Sequence, residues 1–366
     1  MSFYITEPTF FVDKKKCKKN INRIFSKVND SGSIFRPHFK THQSLEVGNW
    51  FREFGVEKIA VSSLDMANYF ANGGWKDITV AFPVNLREID RINDLSAKIN
   101  LNLLVESPGS IVELNESIES PVSVFIKIDT GYHRTGISPE DTNIIDGILK
   151  KIRSSKLITF SGFLSHAGHS YKAADVNEIK QIHSKSMKIM VKLKERYLRD
   201  FPGLIFSLGD TPTASHADNF HGIDEVRPGN FIFYDLMQED LGACELNEIA
   251  VALAVPVVSK HKSRMEIVIY GGAVHLSKER LLSPGKDYHY GFASHLRSEG
   301  WEIPDGESYV SALSQEHGVV KCSEEFFNSI NIGDIIAIIP VHSCLTANLS
   351  ESYRTVRGDR IEKFRR

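Results

Sequence analysis

Cysteine is scarce in this chain of 366 residues: Cys17, Cys244, Cys322 and Cys344 are scattered, with no C-x-x-C spacing. That scatter excludes a disulfide framework and leads to the expectation of a cytoplasmic protein. No apolar run is long enough to span a bilayer, so no membrane segment is expected. Met1 to Lys15 lacks the basic-then-apolar pattern of a signal peptide. Charge of neither sign dominates. A net charge of −2 gives no reason to expect nucleic acid or an anionic membrane as a partner. There is no internal repeat and no low-complexity tract. No G-x-G-x-x-G follows the first expected strand, which counts against a dinucleotide-binding fold.

What is present is an ordinary globular composition, 42% hydrophobic and 25% charged. The length makes two domains the default. Strand-like runs alternate with helical stripes, starting at Ile34 to Lys40, then Lys58 to Ser62, Ile78 to Phe82 and Leu101 to Val105. The series continues through Val122 to Asp129, Leu157 to Leu164, Leu204 to Leu208 and Ile223 to Arg227, with a long helix expected from Val176 to Leu198. Eight strands alternating with helices over roughly two hundred residues predict an α/β fold, a (β/α)8 TIM-type barrel, with a doubly wound open sheet as the competing architecture. After Cys244 the texture changes. Val251 to Val258, Met265 to Tyr270, Tyr309 to Leu313 and Ile335 to Ile339 are strand-like with few helical stripes between them. The expected division is therefore a barrel over 12–244 and a C-terminal mostly-β domain over 245–366. The polar, basic stretch Arg354 to Arg366 reads as a solvated end.

The barrel expectation directs attention to where strands end. Arg36-Pro37-His38-Phe39-Lys40-Thr41-His42 closes the first strand. Strand alternation would place Arg36, His38, Lys40 and His42 on one face. Basic groups so grouped favour a neutral lysine, a nucleophile that can form a Schiff base with a carbonyl. The plain alternative is a solvated basic face. The fifth strand ends in a glycine-bracketed loop, Asp129 to Gly136, that carries Arg134, and the sixth in Ser165 to Tyr171. The seventh ends in Gly209-Asp210-Thr211-Pro212-Thr213, small and hydroxyl residues at an expected helix start, which suits an anion. The eighth ends in Arg227-Pro228-Gly229-Asn230. A Schiff-base lysine opposite a phosphate cradle is what pyridoxal phosphate needs.

Together with a late P-x-H-x-C-x-T-x-N-L, these motifs resemble the D-threonine aldolase/D-serine dehydratase group of pyridoxal-phosphate enzymes, and they run from Arg36 to Leu349. The resemblance implies the alanine-racemase-type barrel, paired with a β domain that includes residues 1–11. It implies Lys40 as the lysine that carries the cofactor and takes the α-proton. It implies Arg134 near the cofactor's phenolic oxygen, and Gly209, Thr211, Gly229 and Asn230 around its phosphate. His166, Tyr171 and Tyr234 are implied pocket residues. Asp210 departs from the small neutral residue expected beside phosphate, and Arg227 is the candidate partner of the pyridine nitrogen. The resemblance also implies a homodimer.

His342 and Cys344 stand two apart after an apolar strand and would face one side of it. Imidazole and thiolate suit zinc, with manganese or magnesium as alternatives. Standing alone, the pair reads as a buried cysteine beside a surface histidine; the resemblance implies a metal. Gln315-Glu316-His317-Gly318 is a further polar cluster, with His317 either supporting that site or an ordinary loop histidine. The expected activity is dehydration of a small D-3-hydroxy amino acid, D-serine giving pyruvate and ammonia. The alternatives are retro-aldol cleavage to glycine and an aldehyde, a racemase, and a non-catalytic pyridoxal-phosphate carrier.

Overall fold

The structure, a computed structural model, describes residues 5–282 and 287–365. Residues 1–4, 283–286 and 366, which the sequence reading assigned to the β domain, lie outside the described residues. The chain divides into two units. One is made of Asn22–Lys40 and Gly48–Gly229, the other of Met1–Ile21, Thr41–Val47 and Asn230–Arg365. The change at Asn230 comes ahead of the expected boundary at 245, and the short piece Thr41–Val47 leaves the first unit directly after Lys40.

The first unit holds eight parallel strands, the series expected from the sequence: Ile34–Phe35, Lys58–Val61, Asp77–Pro83, Asn100–Val105, Val122–Lys127, Ile158–Leu164, Ile205–Leu208 and Glu225–Val226. They are called the first to eighth barrel strands below. From the second to the eighth each pairs with the next, and the first pairs with the eighth, Ile34 opposite Glu225. The first and second strands meet through a single parallel bridge, His38 to Ala60, where the Phe39 N–H donates to the Ala60 carbonyl at 2.8 Å. The sheet is thus a nearly closed barrel rather than an open doubly wound sheet. Parallel strands covered on both faces should be apolar nearly throughout, and Leu101, Leu103, Leu104 and Val105 are all buried. Val176–Tyr197 is one helix, begun by Asp175, whose carboxylate accepts the Glu178 N–H at 2.8 Å.

The shared basic face expected over Arg36 to His42 does not form. The first strand stops at Phe35, because Pro37 has no N–H to continue the ladder. Arg36 is buried, its Nε 2.6 Å from Glu225 Oε2 and its Nη1 2.6 Å from Asp77 Oδ1. His42 is buried in the other unit, where its backbone carbonyl accepts the Tyr353 hydroxyl at 2.9 Å. Lys40 alone is exposed, in a turn.

The second unit is built on a ten-stranded sheet. Its order is Glu266–Tyr270, His317–Lys321, Tyr309–Leu313, Gly291–Arg297, Ile335–Pro340, Val251–His261, Thr9–Val12, Ser352–Thr355 and Arg360–Glu362, with Gly300–Trp301 paired at the side. The four expected strands are present. Glu266–Tyr270 also pairs back onto Val251–His261, closing the first six into a ring. The expected solvated end is corrected: Ser352–Thr355 pairs with both Thr9–Val12 and Arg360–Glu362, and Tyr353 and Ile361 are wholly buried. Charged residues at 354, 360 and 362 alternate with these apolar ones, so composition masked a half-buried pattern. Among the described residues no helix is long and apolar enough to cross a membrane.

Arg36 is held by two carboxylates inside the barrel, so Arg36→Leu leaves the buried Glu225 without its salt-bridge partner. The expected loss is about 3–5 kcal/mol of stability, read as a lower urea midpoint of the far-ultraviolet dichroism. An unchanged midpoint contradicts the role given to the pair.

Candidate active site

In the barrel unit, the residues singled out from sequence lie on the segments leaving the carboxyl ends of strands. Lys40 lies just beyond the bridge at His38, and its backbone N–H donates to His38 Nδ1 at 3.3 Å. After the fifth strand, the Asp129 carboxylate accepts the backbone N–H groups of Gly131, Tyr132 and His133, which folds the loop and holds that acid below its ordinary range despite burial. Gly136 (φ 114°) is required here, since a Cβ would stand 2.6 Å from the Asp129 nitrogen. Arg134 is exposed and lies over the Tyr132 ring, 4.8 Å from its centre.

His166, after the sixth strand, sets Nδ1 3.1 Å from the Gly209 carbonyl. A carbonyl only accepts, so Nδ1 carries the proton and Nε2 is the bare, accepting nitrogen. Burial, with the charges of Lys40, Lys127 and Arg134, holds its pKa well below the ordinary value, so the ring is neutral. The Tyr132 and Tyr171 rings lie 5.9 and 6.5 Å from it, centre to centre. The Thr211 N–H donates to the Tyr171 hydroxyl at 3.4 Å. Gly209 (φ 153°) lets the seventh strand end close against the eighth, as a Cβ would stand 2.6 Å from the Arg227 nitrogen. Gly229 is half-buried at the end of this unit.

Asp210 resolves its departure from the motif. Its Oδ1 accepts the Thr213 N–H at 2.9 Å and the Ser170 hydroxyl at 2.7 Å, and its Oδ2 the Thr213 hydroxyl. It is the N-cap of the helix Thr211–His216, and burial raises it to about 6 against those hydrogen bonds. Arg227 is buried, with Nε 2.5 Å from Ser207 Oγ and Nη2 on the Ser165 carbonyl. Burial lowers it to about 10, with Glu225 opposing.

Sequence reasoning missed Lys127. It is the last residue of the fifth strand, buried, with Nζ donating to the Ile128 carbonyl at 3.1 Å. Burial and then the charge of Arg227 bring it down to about 7, although Glu106 and Asp129 oppose this. A lone lysine inside the apolar run Val124-Phe125-Ile126-Lys127-Ile128 was the available signal. Lys40, Lys127 and Arg134 thus surround a neutral imidazole that accepts. An exposed amine within a cationic strand-end cluster fits a ligand carrying both a carbonyl and a phosphate.

The remaining residues lie in the β unit. His342 and Cys344 are not on a strand as expected. The strand ends at Pro340, His342 is the extended residue before the helix Ser343–Leu349, and Cys344 is in its first turn. They are still neighbours, because an extended residue and the first helical turn fold toward each other. Burial lowers the His342 pKa, yet its hydrogen bond to the Cys344 sulfur and the charge there raise it to about 9. The thiol is correspondingly lowered against burial, by His342 and by the Thr41 hydroxyl 3.2 Å away. Asn230 Nδ2 lies 2.7 Å from Asp235 Oδ2 and 3.4 Å from Cys344 Sγ, so its side chain joins this cluster. Tyr234 is fully buried with φ 50°. His317 is exposed at the start of a strand, opposite Tyr270. Among the described residues His342 Nδ1 is buried without a partner, and no third His, Cys, Asp or Glu completes a cluster. A two-residue N,S donor set with an unused ring nitrogen fits a metal left open to other ligands.

Residues 12–236 match the family described as alanine racemase, N-terminal domain, and residues 250–356 match a serine dehydratase domain. A D-serine dehydratase of Dictyostelium discoideum is 30% identical, covering 97% of this chain and 94% of the relative. A D-threo-3-hydroxyaspartate dehydratase of a Delftia species is 26% identical over 96% and 94%. An alanine racemase-like protein of Idiomarina loihiensis, solved as a crystal structure, is 27% identical with TM-score 0.88 over 98% and 97%. A D-threo-3-hydroxyaspartate dehydratase variant in a metal-free form matches in fold, TM-score 0.90 at 24% identity over 99% and 98%. The chain therefore belongs to the D-serine dehydratase family of pyridoxal-phosphate enzymes, and its barrel is an alanine racemase N-terminal domain.

Proposed function

We propose that this chain is a pyridoxal-phosphate- and metal-dependent lyase that dehydrates D-serine or a related D-3-hydroxy amino acid. The observation that carries the reading is the exposed Lys40 amine among Lys127, Arg134 and the neutral His166. Lys40 would hold the cofactor covalently. Arg134, His166, Tyr171, Gly209, Thr211, Gly229 and Asn230 are the remaining cofactor residues. When bound, the cofactor supplies the carbonyl that captures the amino group and the electron sink for the α-carbon. The free Lys40 amine would take the α-proton on Nζ. His166 offers a bare Nε2, which accepts a hydrogen bond and takes up no proton near neutral pH. Thr211, at a helix start, and Gly209, without a side chain, would hold the phosphate. His342 and Cys344 hold the metal, zinc on the softness of the thiolate, which would supply Lewis acidity toward the β-hydroxyl. Loss of the α-proton and of that hydroxyl as water, followed by hydrolysis, gives pyruvate and ammonia from D-serine.

Two further features extend the reading. Val274, Leu345 and Leu349 are about two-fifths exposed on two short helices joined where the Thr346 hydroxyl donates to the Leu276 carbonyl. These apolar side chains support a homodimer. The four cysteines remain thiols, which supports a cytoplasmic location.

The purified protein should be yellow, and borohydride should fix the cofactor to Lys40. Lys40→Ala should abolish turnover, while label on another lysine refutes the assignment. Zinc should copurify, and Cys344→Ala should lower metal content while the yellow colour stays. With D-threonine, 2-oxobutyrate should exceed glycine and acetaldehyde; the reverse ratio makes the enzyme an aldolase, and full activity without metal leaves a racemase to test. Light scattering at micromolar concentration should give the mass of a dimer, and an active monomer refutes that part.

A further inference from the structure

We propose that Asp235 is a positioning residue that holds the His342–Cys344 pair in register. The inference rests on the reading of those two residues as metal ligands. Asp235 lies in the β unit and is wholly buried, and its charge is one of those that raise the His342 pKa. Burying a carboxylate is costly unless donors surround it. Here every hydrogen-bond partner donates. Oδ1 accepts the Gln238 N–H at 3.0 Å. Oδ2 accepts the Ser343 N–H at 2.8 Å, the Ser343 hydroxyl at 3.0 Å and the Asn230 amide at 2.7 Å.

The identity of those partners gives the carboxylate its role. Ser343 is the residue between the two ligands, and its backbone and side chain both end on Asp235. That fixes the peptide from which His342 and Cys344 diverge. Asn230 bonds Asp235 with the same nitrogen that lies 3.4 Å from the Cys344 sulfur. One buried oxygen therefore sets both the backbone under the ligand pair and a donor to the sulfur. Outer partners of this kind orient metal ligands and tune the affinity of a site.

Asparagine is isosteric but has one accepting oxygen. Whichever way its amide turns, an NH2 meets an N–H, either at Gln238 or at Ser343 and Asn230. Asp235→Asn should weaken zinc binding by about 10–100-fold, measured by competition with a chromogenic chelator. In the cobalt-loaded protein the thiolate-to-metal absorption should weaken, while the yellow cofactor band stays. A second readout needs no metal. After chelation, Cys344 should be alkylated several-fold faster relative to Cys322, which lies in the same unit and serves as internal reference. An unchanged ratio, or equal acceleration of both thiols, overturns the positioning role. If the wild-type protein binds no metal, the metal reading falls, and the alkylation ratio still decides the role of Asp235. If Asp235→Asn does not fold, Asn230→Ala takes its place: a raised Cys344 ratio supports the arrangement and an unchanged one overturns it.

Discussion

The barrel depends on a run of hydrogen bonds through its interior. Arg36 meets Glu225, Glu225 accepts the Ser207 hydroxyl at 2.5 Å, and Ser207 accepts Nε of Arg227, whose Nη2 ends on the Ser165 carbonyl. The run joins the first, eighth and seventh strands to the segment leaving the sixth, beside the shortest strand pairings of the sheet. Two-residue strands supply few ladder bonds, so side chains carry much of the closure. Each charge is tolerable there only because its partners are in place.

The same surplus of positive charge shapes the chemistry at the strand ends. Arg227 helps to push the buried Lys127 down to about 7, and Lys40, Lys127 and Arg134 add to the burial that keeps His166 neutral. A neutral His166 with its proton on Nδ1 presents an acceptor on Nε2, where an imidazolium would present a donor. The Asp210 carboxylate is taken up by its own helix and by Ser170.

In the β unit the polar cluster follows a different rule. The sulfur of Cys344 is contacted by His342, the Thr41 hydroxyl and the Asn230 amide. The pKa of a soft ligand is thus lowered by hydrogen bonds against burial, while the imidazole keeps one buried nitrogen unused. Such an arrangement is ready for a metal and open beyond two protein ligands.

Parallel strands buried on both faces are near-continuous apolar runs, so eight of them in order, with loops bracketed by glycine, were legible without coordinates. The loop motifs were legible for the same reason: Gly136 and Gly209 stand where no Cβ fits, and a helix start after a strand selects small residues and hydroxyls. Side-chain direction was not legible. Arg36 reads as a surface base and is an interior ion pair, because its counter-charge, Glu225, arrives from nearly two hundred residues away. Lys127 reads as one polar residue in a strand, and only the neighbouring Arg227 and burial make it chemically distinct. His342 and Cys344 were read as sharing a strand face; a proline and a helix start bring them together instead. Local pattern determined which segments form and where they end, since periodicity and turn chemistry act over a few residues. The partners of the buried charges, the closing of the C-terminal strands and the company of Asn230 were decided by tertiary structure, since each depends on contacts between segments far apart in the chain.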